Sequence, residues 1–247
     1  MNFLKLLVTH TLYMCLELFR QPMYLVSTVL FPSMFFWFFG IPNAKEPGSI
    51  AILSASFACF GVLSVVLFQF GVGISQDKES SWYFYLRSLP SRRGVVLGSR
   101  VLAGILFSML AICGVFATAL IFADLKISDI EWLRLFALLF CGAIPFALLG
   151  ICLGLLVNSQ AILPVANLVY LPLSFAGGLW MPPNILPTAI QKISEYLPTR
   201  MYGEIIWASV LKREVESKYV CGLIVYGIIF LLTAFFLSKK EEEKSFR

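Results

Sequence analysis

The chain has 247 residues, of which 59% are hydrophobic and only 13% are charged, and its mean hydropathy is +0.86. Soluble domains are roughly 45–50% apolar and about 25% charged, and one water-soluble core of this length would not bury so much apolar surface. These values exclude a soluble enzyme, a disordered chain and a collagen-like fibre. The 23 phenylalanines suit lipid-facing helices better than the alternating strands of an outer-membrane barrel. We therefore expect an all-α polytopic membrane protein, whose net charge of +5 is informative through its distribution along the chain.

Residues 1–20 predict an amphipathic helix at the membrane surface. One polar stripe, spaced by three and four residues, crosses an otherwise apolar helix and consists of Asn2, Lys5, Thr9, Tyr13, Glu17 and Arg20. This pattern is typical of a helix that lies in the membrane interface. The alternative is an extension of the first span.

Six transmembrane helices are predicted in a single transmembrane domain over residues 1–247. They cover residues 23–40, 50–74, 100–123, 132–157, 161–180 and 219–237. Pro145 predicts a kink in the fourth span, and the prolines of the fifth span are tolerated if neighbouring helices satisfy the freed carbonyls. Two intervening segments remain: the polar residues 75–99, and residues 181–218, which hold two amphipathic pieces separated by Pro198.

The positive-inside rule favours a cytoplasmic location for both termini. In that orientation, eleven of the 19 Lys and Arg residues lie inside and eight lie outside, most of the latter in the long segment 181–218. The two short outer loops contain only Lys45 and Lys126 as clear basic residues. We therefore expect a multi-pass protein of the cytoplasmic or inner membrane.

Several kinds of chemistry are missing from the sequence. It contains no phosphate-binding loop, no nucleophile elbow and no H-E-x-x-H motif. Its six cysteines show no C-x-x-C spacing, and His10 is its single histidine. These absences argue against ATP binding by this chain, against a metal or redox site and against a membrane enzyme. Because no ionisable residue falls at the centre of a predicted span, a proton-coupled carrier is also disfavoured.

Mildly polar and flexible residues within the spans are candidates for a translocation path or an outer gate. They are Gln69, Asn167, Gly177, Gly178, Pro182 and Pro183. Polar residues of this kind more often join helices by hydrogen bonds, and small residues allow close packing, so a structural role is the alternative for each.

Residues 75–99 combine charged and aromatic side chains between two spans. A short helix there would be well placed to dock on a soluble partner through its charged face. The candidate contact residues are Asp77, Lys78, Glu79, Arg87 and Arg92. From the residues alone, a solvated loop with ordinary interfacial aromatics explains the segment equally well.

The order of these elements resembles the membrane subunits of type-2 ABC (ATP-binding-cassette) exporters. Residues 85–92, Tyr-Leu-Arg-Ser-Leu-Pro-Ser-Arg, look like that family's element before the third span, which opens here with Leu97-Gly98. Residues 173–183 and 196–202 are similar to the end of its fifth span and to its broken outer helices. The acidic-Gly-Thr sequence that is usual in the family reads Glu79-Ser80-Ser81 here.

The resemblance implies a non-catalytic permease subunit with a re-entrant helical pair in segment 181–218. It implies a second permease copy or sibling and two cytosolic ATPase subunits, which would carry ATP and Mg²⁺, so that this chain holds no cofactor. We expect contact with membrane lipids, no nucleic acid partner, and export of a drug, lipid, peptide or glycan. The alternatives are an ion-coupled secondary carrier and a non-transporting membrane scaffold or assembly factor.

Overall fold

A computed structural model describes residues 3–44, 48–80, 93–123, 125 and 131–245, and this part of the chain is helical without any strand. Most side chains in it are apolar, so their burial against one another and against lipid accounts for a helix bundle. The helices are α1 (Phe3–Phe19), α2 (Pro22–Asn43), α3 (Ser49–Glu79), α4 (Arg93–Phe122), α5 (Trp132–Leu156), α6 (Ile162–Ala176), α7 (Thr188–Ser194), α8 (Pro198–Val210) and α9 (Ser217–Ser245).

Five of these helices are long and apolar enough to cross a membrane, against the six that the sequence predicted. They are α2, α3, α4, α5 and α9. The remaining predicted span, residues 161–180, forms the shorter helix α6 of 15 residues. At 1.5 Å per residue, α6 is about 22 Å long, which is less than the roughly 30 Å of bilayer hydrocarbon.

Helix α3 is the central element of the bundle. Its side chains are buried without interruption from Leu53 to Gly71. It crosses α5 closely: a Cβ atom at Gly154 would lie 2.6 Å from the carbonyl oxygen of Gly71, and one at Gly150 would lie 3.2 Å from that of Leu67. Glycine at these crossings lets the two backbones approach, which is how membrane helices commonly pack.

Helix α2 is not a regular α-helix along its length. Two π-helical stretches, Val26–Leu30 and Phe36–Gly40, interrupt it. Pro32 follows the first stretch, and its missing N–H removes one hydrogen bond from the regular helical pattern.

Helix α1 lies along the first half of α4. A Cβ atom at Gly98 would lie 3.1 Å from Leu7, and the rings of Phe19 and Phe107 are 5.0 Å apart. Apolar side chains on the other side of α1, including Leu4 and Leu12, are exposed. This exposed apolar face is compatible with the predicted membrane-surface helix.

The helices give the bundle two ends. At the Asp77 end, the carboxyl ends of α3 and α5 meet the amino ends of α2 and α4. At the Trp180 end, the turn after α6 meets α2 and the first half of α3. The longest polar segment of the sequence joins α3 to α4 at the Asp77 end, through residues 80–92.

Candidate functional site

The last turns of α3 are bonded to the end of α5. Ser75 donates its hydroxyl to the carbonyl of Val157 at 2.7 Å, and Lys78 donates its ammonium to the carbonyl of Leu155 at 2.9 Å. The Glu79 carboxylate accepts the backbone N–H of Ser159 at 3.0 Å and also the Ser159 hydroxyl. Carbonyls at a helix end lack intrahelical donors, so α3 supplies some of the hydrogen bonds that α5 lacks.

Asp77, in the same turn, forms an ion pair with Arg100 of α4. The Arg100 guanidinium donates to Asp77 Oδ2 at 2.5 Å, with the arginine side chain only 7% exposed and the aspartate 42% exposed. Within the described residues, Arg100 is the one charged residue that is buried. A buried guanidinium is costly unless its donors are paired, and here the pairing comes entirely from α3.

Arg100 and Gln69 exchange hydrogen bonds in both directions. The Arg100 guanidinium donates to the carbonyl of Gln69 at 3.0 Å, and the Gln69 side-chain amide donates to the carbonyl of Arg100 at 2.7 Å. Each residue is followed four positions later by a glycine. A Cβ atom at Gly73 would overlap the Arg100 guanidinium, and one at Gly104 would lie 3.1 Å from Gln69 Oε1. We call this set the Arg100 clasp; it consists of Gln69, Gly73, Asp77, Arg100 and Gly104.

A small cleft of about 90 Å³ opens beside the Arg100 clasp. Its other walls come from α1 and the start of α2, including Glu17, Gln21 and Tyr24. The Tyr24 hydroxyl donates to Gln69 Oε1 at 3.4 Å, and the Tyr24 ring meets that of Phe107 edge-on at 5.3 Å. The amino-terminal helices therefore contact the same cluster as the ends of α3 and α4.

The structure places the candidate residues of the path and gate at different levels. Gln69 belongs to the Arg100 clasp, whereas Gly177 and Gly178 lie at the Trp180 end, after α6. Asn167 donates to the carbonyl of Leu163 within its own helix at 3.1 Å. The charged candidates Arg87 and Arg92 lie outside the described residues.

The turn after α6 brings four of these candidates together. Gly178 has φ +80°, a left-handed conformation that glycine adopts readily, and a Cβ atom there would lie 2.7 Å from Pro183 Cγ. Pro182 precedes the single turn of 3₁₀-helix Pro183–Ile185. A Cβ atom at Gly177 would overlap the side chain of Thr199. The two glycines therefore allow a tight turn that α8 packs against.

Aromatic rings surround Trp180 in this turn. Its ring centroid lies 4.9 Å from that of Phe35 and 5.9 Å from that of Phe39, both on α2. It also lies 5.7 Å from Phe60 on α3 and 5.8 Å from Phe175 on α6. The turn is thus fixed to three helices by ring contacts.

Helices α7 and α8 follow one another with three residues between them and contact the bundle; we call residues 188–210 the outer hairpin, after the re-entrant pair that the sequence predicted there. Near its turn, Thr199 donates to the carbonyl of Leu173 at 2.6 Å, and the carbonyl of Tyr196 accepts the hydroxyl of Tyr226 at 2.8 Å. Tyr226 lies nine residues into α9, about 13 Å along its axis. The turn between α7 and α8 therefore lies beside α9, beyond the first turn of that helix.

Helix α8 is held on the bundle by buried hydrogen bonds. The Tyr202 hydroxyl donates to the carbonyl of Leu139 at 2.5 Å, and the Trp207 indole donates to the Ser56 hydroxyl at 2.5 Å. Both bonds join side chains of α8 to helices of the main core, which fixes the orientation of the outer hairpin.

A family model described as ABC-2 type transporter matches residues 6–211, from α1 to the residue after α8. The chain belongs to the ABC-2 type transporter family. It is also similar to a protein of Bacillus subtilis (strain 168) named "Putative transport permease YvfS", with 25% identity over 227 residues that cover 90% of this chain and 93% of the relative. Together with the five candidate spans, the family makes this chain a multi-pass membrane protein.

Two of the ion pairs in the described part of this ABC-2 family chain were not identified residue by residue from the sequence, although it predicted that basic residues of segment 181–218 pair with acids. One is Asp77 with Arg100, because Arg100 reads as a basic residue at the edge of a span. The other is Arg200 with Glu204 in the outer hairpin, with 2.6 Å between Arg200 Nη2 and Glu204 Oε1 and side chains 17% and 21% exposed. Arg200 and Glu204 are four residues apart, a spacing that places two side chains next to each other on a helix. The same spacing separates Gln69 from Gly73 and Arg100 from Gly104 in the Arg100 clasp.

Proposed function

We propose that this chain is the membrane permease subunit of an ATP-driven exporter and that a separate ATPase supplies the energy. The observation that best supports this is the structure of the Asp77 end. There, residues 80–92 join two helices whose ends are bonded to each other through Asp77 and Arg100. A force applied to residues 80–92 would therefore act on two helices that are bonded to each other.

The charged candidates divide into two groups in this proposal. Asp77, Lys78 and Glu79 have partners within the chain, so besides lying near the ATPase they fix the end of α3. Arg87 and Arg92 lie within residues 80–92 and are proposed to make the direct ATPase contact. The charged face of this segment would then select the partner.

We further propose six membrane crossings with both termini in the cytoplasm. The alternation of helix direction supports this, because the end of α3, the start of α4, the end of α5 and the start of α6 lie at the Asp77 end. Helix α6 runs beside α3: Ile162 is near Gly71, and Tyr170 donates to the carbonyl of Phe60 at 3.0 Å. Residues 177–180 would complete the short crossing.

The outer hairpin is proposed to be a re-entrant pair that closes the outer end of the path. Its turn is bonded to Leu173 and Tyr226 and so lies beyond the first turn of α9, which supports a location within the membrane. Gly177, Gly178, Pro182 and Pro183 would form the hinge of this gate. Non-helical backbone at that depth is tolerated where protein covers it or where it lines a cavity.

The complete exporter would contain two permeases, identical or siblings, and two ATPases. The path would run between the permeases, lined by apolar and mildly polar side chains. Such a path fits a drug, a lipid, a peptide or a glycan.

Co-purification tests the proposed energy source. We expect the tagged chain to bind an ATPase subunit in detergent, and the double reversal Arg87→Glu/Arg92→Glu to weaken that binding at least tenfold while membrane insertion is unchanged. Like charges that face each other at a docking surface typically cost several kcal/mol, so a tenfold loss of binding is reasonable.

The matched control is Lys239→Glu/Lys240→Glu, an equal charge change on exposed residues of α9. It should leave ATPase binding intact. Transport in vesicles that depends on an ion gradient and not on ATP would contradict the proposed function and support a secondary carrier.

A further inference from the structure

The Arg100 clasp joins two antiparallel helices at the point where a soluble partner would act on them. Residues 80–92 leave the end of α3 and enter α4, so a force on them would act on both helix ends. Arg100 opposes that separation with bonds to two different turns of α3: to the carbonyl of Gln69 at 3.0 Å and to the carboxylate of Asp77 at 2.5 Å. A guanidinium suits this task because it presents several donors in a rigid plane.

The exchange of bonds between Arg100 and Gln69 fixes the register of the two helices. Each side chain binds the other residue's backbone carbonyl, so a shift of α4 along α3 breaks both bonds at once. Gly73 and Gly104 remove the Cβ atoms that would otherwise occupy the space of these two side chains. The two glycines therefore make the clasp possible, and the arrangement specifies one relative position of α3 and α4.

Burial shows that Arg100 differs from the other paired bases of the described residues. Its side chain is 7% exposed, against 17% for Arg200, 40% for Arg134 and 64% for Lys218 in their ion pairs. Arg100 is buried although its partner Asp77 is 42% exposed. Replacing buried ionic groups by apolar residues often leaves stability unchanged or improves it, so a buried charge is weak evidence for a purely stabilising role. The burial of Arg100 is better explained if its bonds specify one arrangement of α3 and α4.

We propose that Arg100 is the positioning residue that transmits displacement of α4 to the central helix α3. This inference rests on the proposed function, in which an ATPase moves residues 80–92. Displacement of α4 passes through Arg100 to Gln69 and Asp77, and the end of α3 passes it to α5 through Ser75 and Lys78. Residues 80–92 also continue directly into α3, so without Arg100 we expect the end of α3 to follow α4 only in part.

The test measures distances between nitroxide labels in the permease–ATPase complex, in a variant whose six cysteines are replaced. One label is placed at Lys239 on α9, and the second at Leu97 on α4 or at Gln76 on α3, all three being exposed. Distances are compared without nucleotide and with Mg²⁺–ATP trapped by vanadate. In the native complex, we expect both distances to shift on trapping.

In Arg100→Gln, we expect the Leu97 distance still to shift and the Gln76 shift to be reduced. Arg100→Lys should retain more of the Gln76 shift, since an ammonium can reach Asp77 but lacks the planar fork. Gly104→Ala is the milder second variant, because it displaces only the Gln69 side chain. The control is Arg134→Gln, which removes an exposed arginine from the other end of the bundle.

Two results would overturn the inference. One is an undiminished Gln76 shift in both Arg100→Gln and Gly104→Ala. The other is loss of ATPase co-purification in Arg100→Gln, because Arg100 would then be part of the docking site. A native complex in which neither distance shifts would instead contradict the proposed function. In that case the isolated permease still tests the clasp, because Arg100→Gln should broaden the Gln76–Leu97 distance distribution there. An unchanged distribution would refute the clasp itself.

Discussion

Replacing Gly73 by alanine tests the Arg100 clasp through the backbone of α3, without removing a charged side chain. The new Cβ atom would occupy the position of the Arg100 guanidinium, which must then move away. At least the bond from Arg100 to the carbonyl of Gln69 is lost, and the ion pair with Asp77 is displaced. The buried guanidinium is left with fewer partners.

The sign of the expected effect is opposite to the usual one for this substitution. In a helix interior, alanine is favoured over glycine by about 1 kcal/mol. A hydrogen bond from a charged group contributes roughly 1.5–3 kcal/mol. The ion pair adds at most about 1 kcal/mol because Asp77 is 42% exposed. We therefore expect Gly73→Ala to lower the free energy of unfolding by about 0.5–3 kcal/mol.

The assay is reversible unfolding of the purified permease in mixed detergent micelles, followed by circular dichroism. Gly227→Ala is the matched control, since a Cβ atom there lies 3.5 Å from Pro145 Cγ, an ordinary contact. The control should be neutral or slightly more stable than the native chain. If Gly73→Ala is as stable as Gly227→Ala, Arg100 does not occupy the space that the clasp requires.

Three further substitutions test the packing of the bundle and the outer hairpin. Gly154→Ala places a Cβ atom 2.6 Å from the carbonyl oxygen of Gly71, so it should separate α5 from α3. We expect the free energy of unfolding to fall by about 1–3 kcal/mol in the same assay. Wild-type stability would refute the close crossing. Gly178→Ala requires a side chain at φ +80°, which should cost about 1–2 kcal/mol and lower the midpoint of thermal unfolding; an unchanged midpoint would argue against this turn. Thr199→Val removes the donor to the carbonyl of Leu173 and should cost about 1 kcal/mol while increasing protease cleavage of the outer hairpin, whereas an unchanged cleavage rate would show that this bond does not hold it.

The sequence determined the class of the protein and most of its helices. Long apolar runs cannot be exposed to water, and within a bilayer their backbone groups must bond internally, so helices follow from composition alone. The end of the fifth apolar segment was readable from Pro182 and Pro183, although the chain already turns at Gly177 and Gly178. The order of these elements resembles one transporter family, and the family match over residues 6–211 confirmed that resemblance.

Only the tertiary structure decided which polar groups meet. Gln69 and Arg100 are 31 residues apart in the chain, and their exchange of hydrogen bonds depends on how α3 and α4 lie side by side. Hydropathy assigns each residue to a span, but it carries no information on the rotation of one helix against another. Hydropathy likewise did not show that the helix within the predicted span 161–180 ends at Ala176, where the chain turns at Gly177 and Gly178 to pack on α8. Composition thus determined that this protein folds in a membrane. Side-chain packing between the helices determined which of its few charged residues meet.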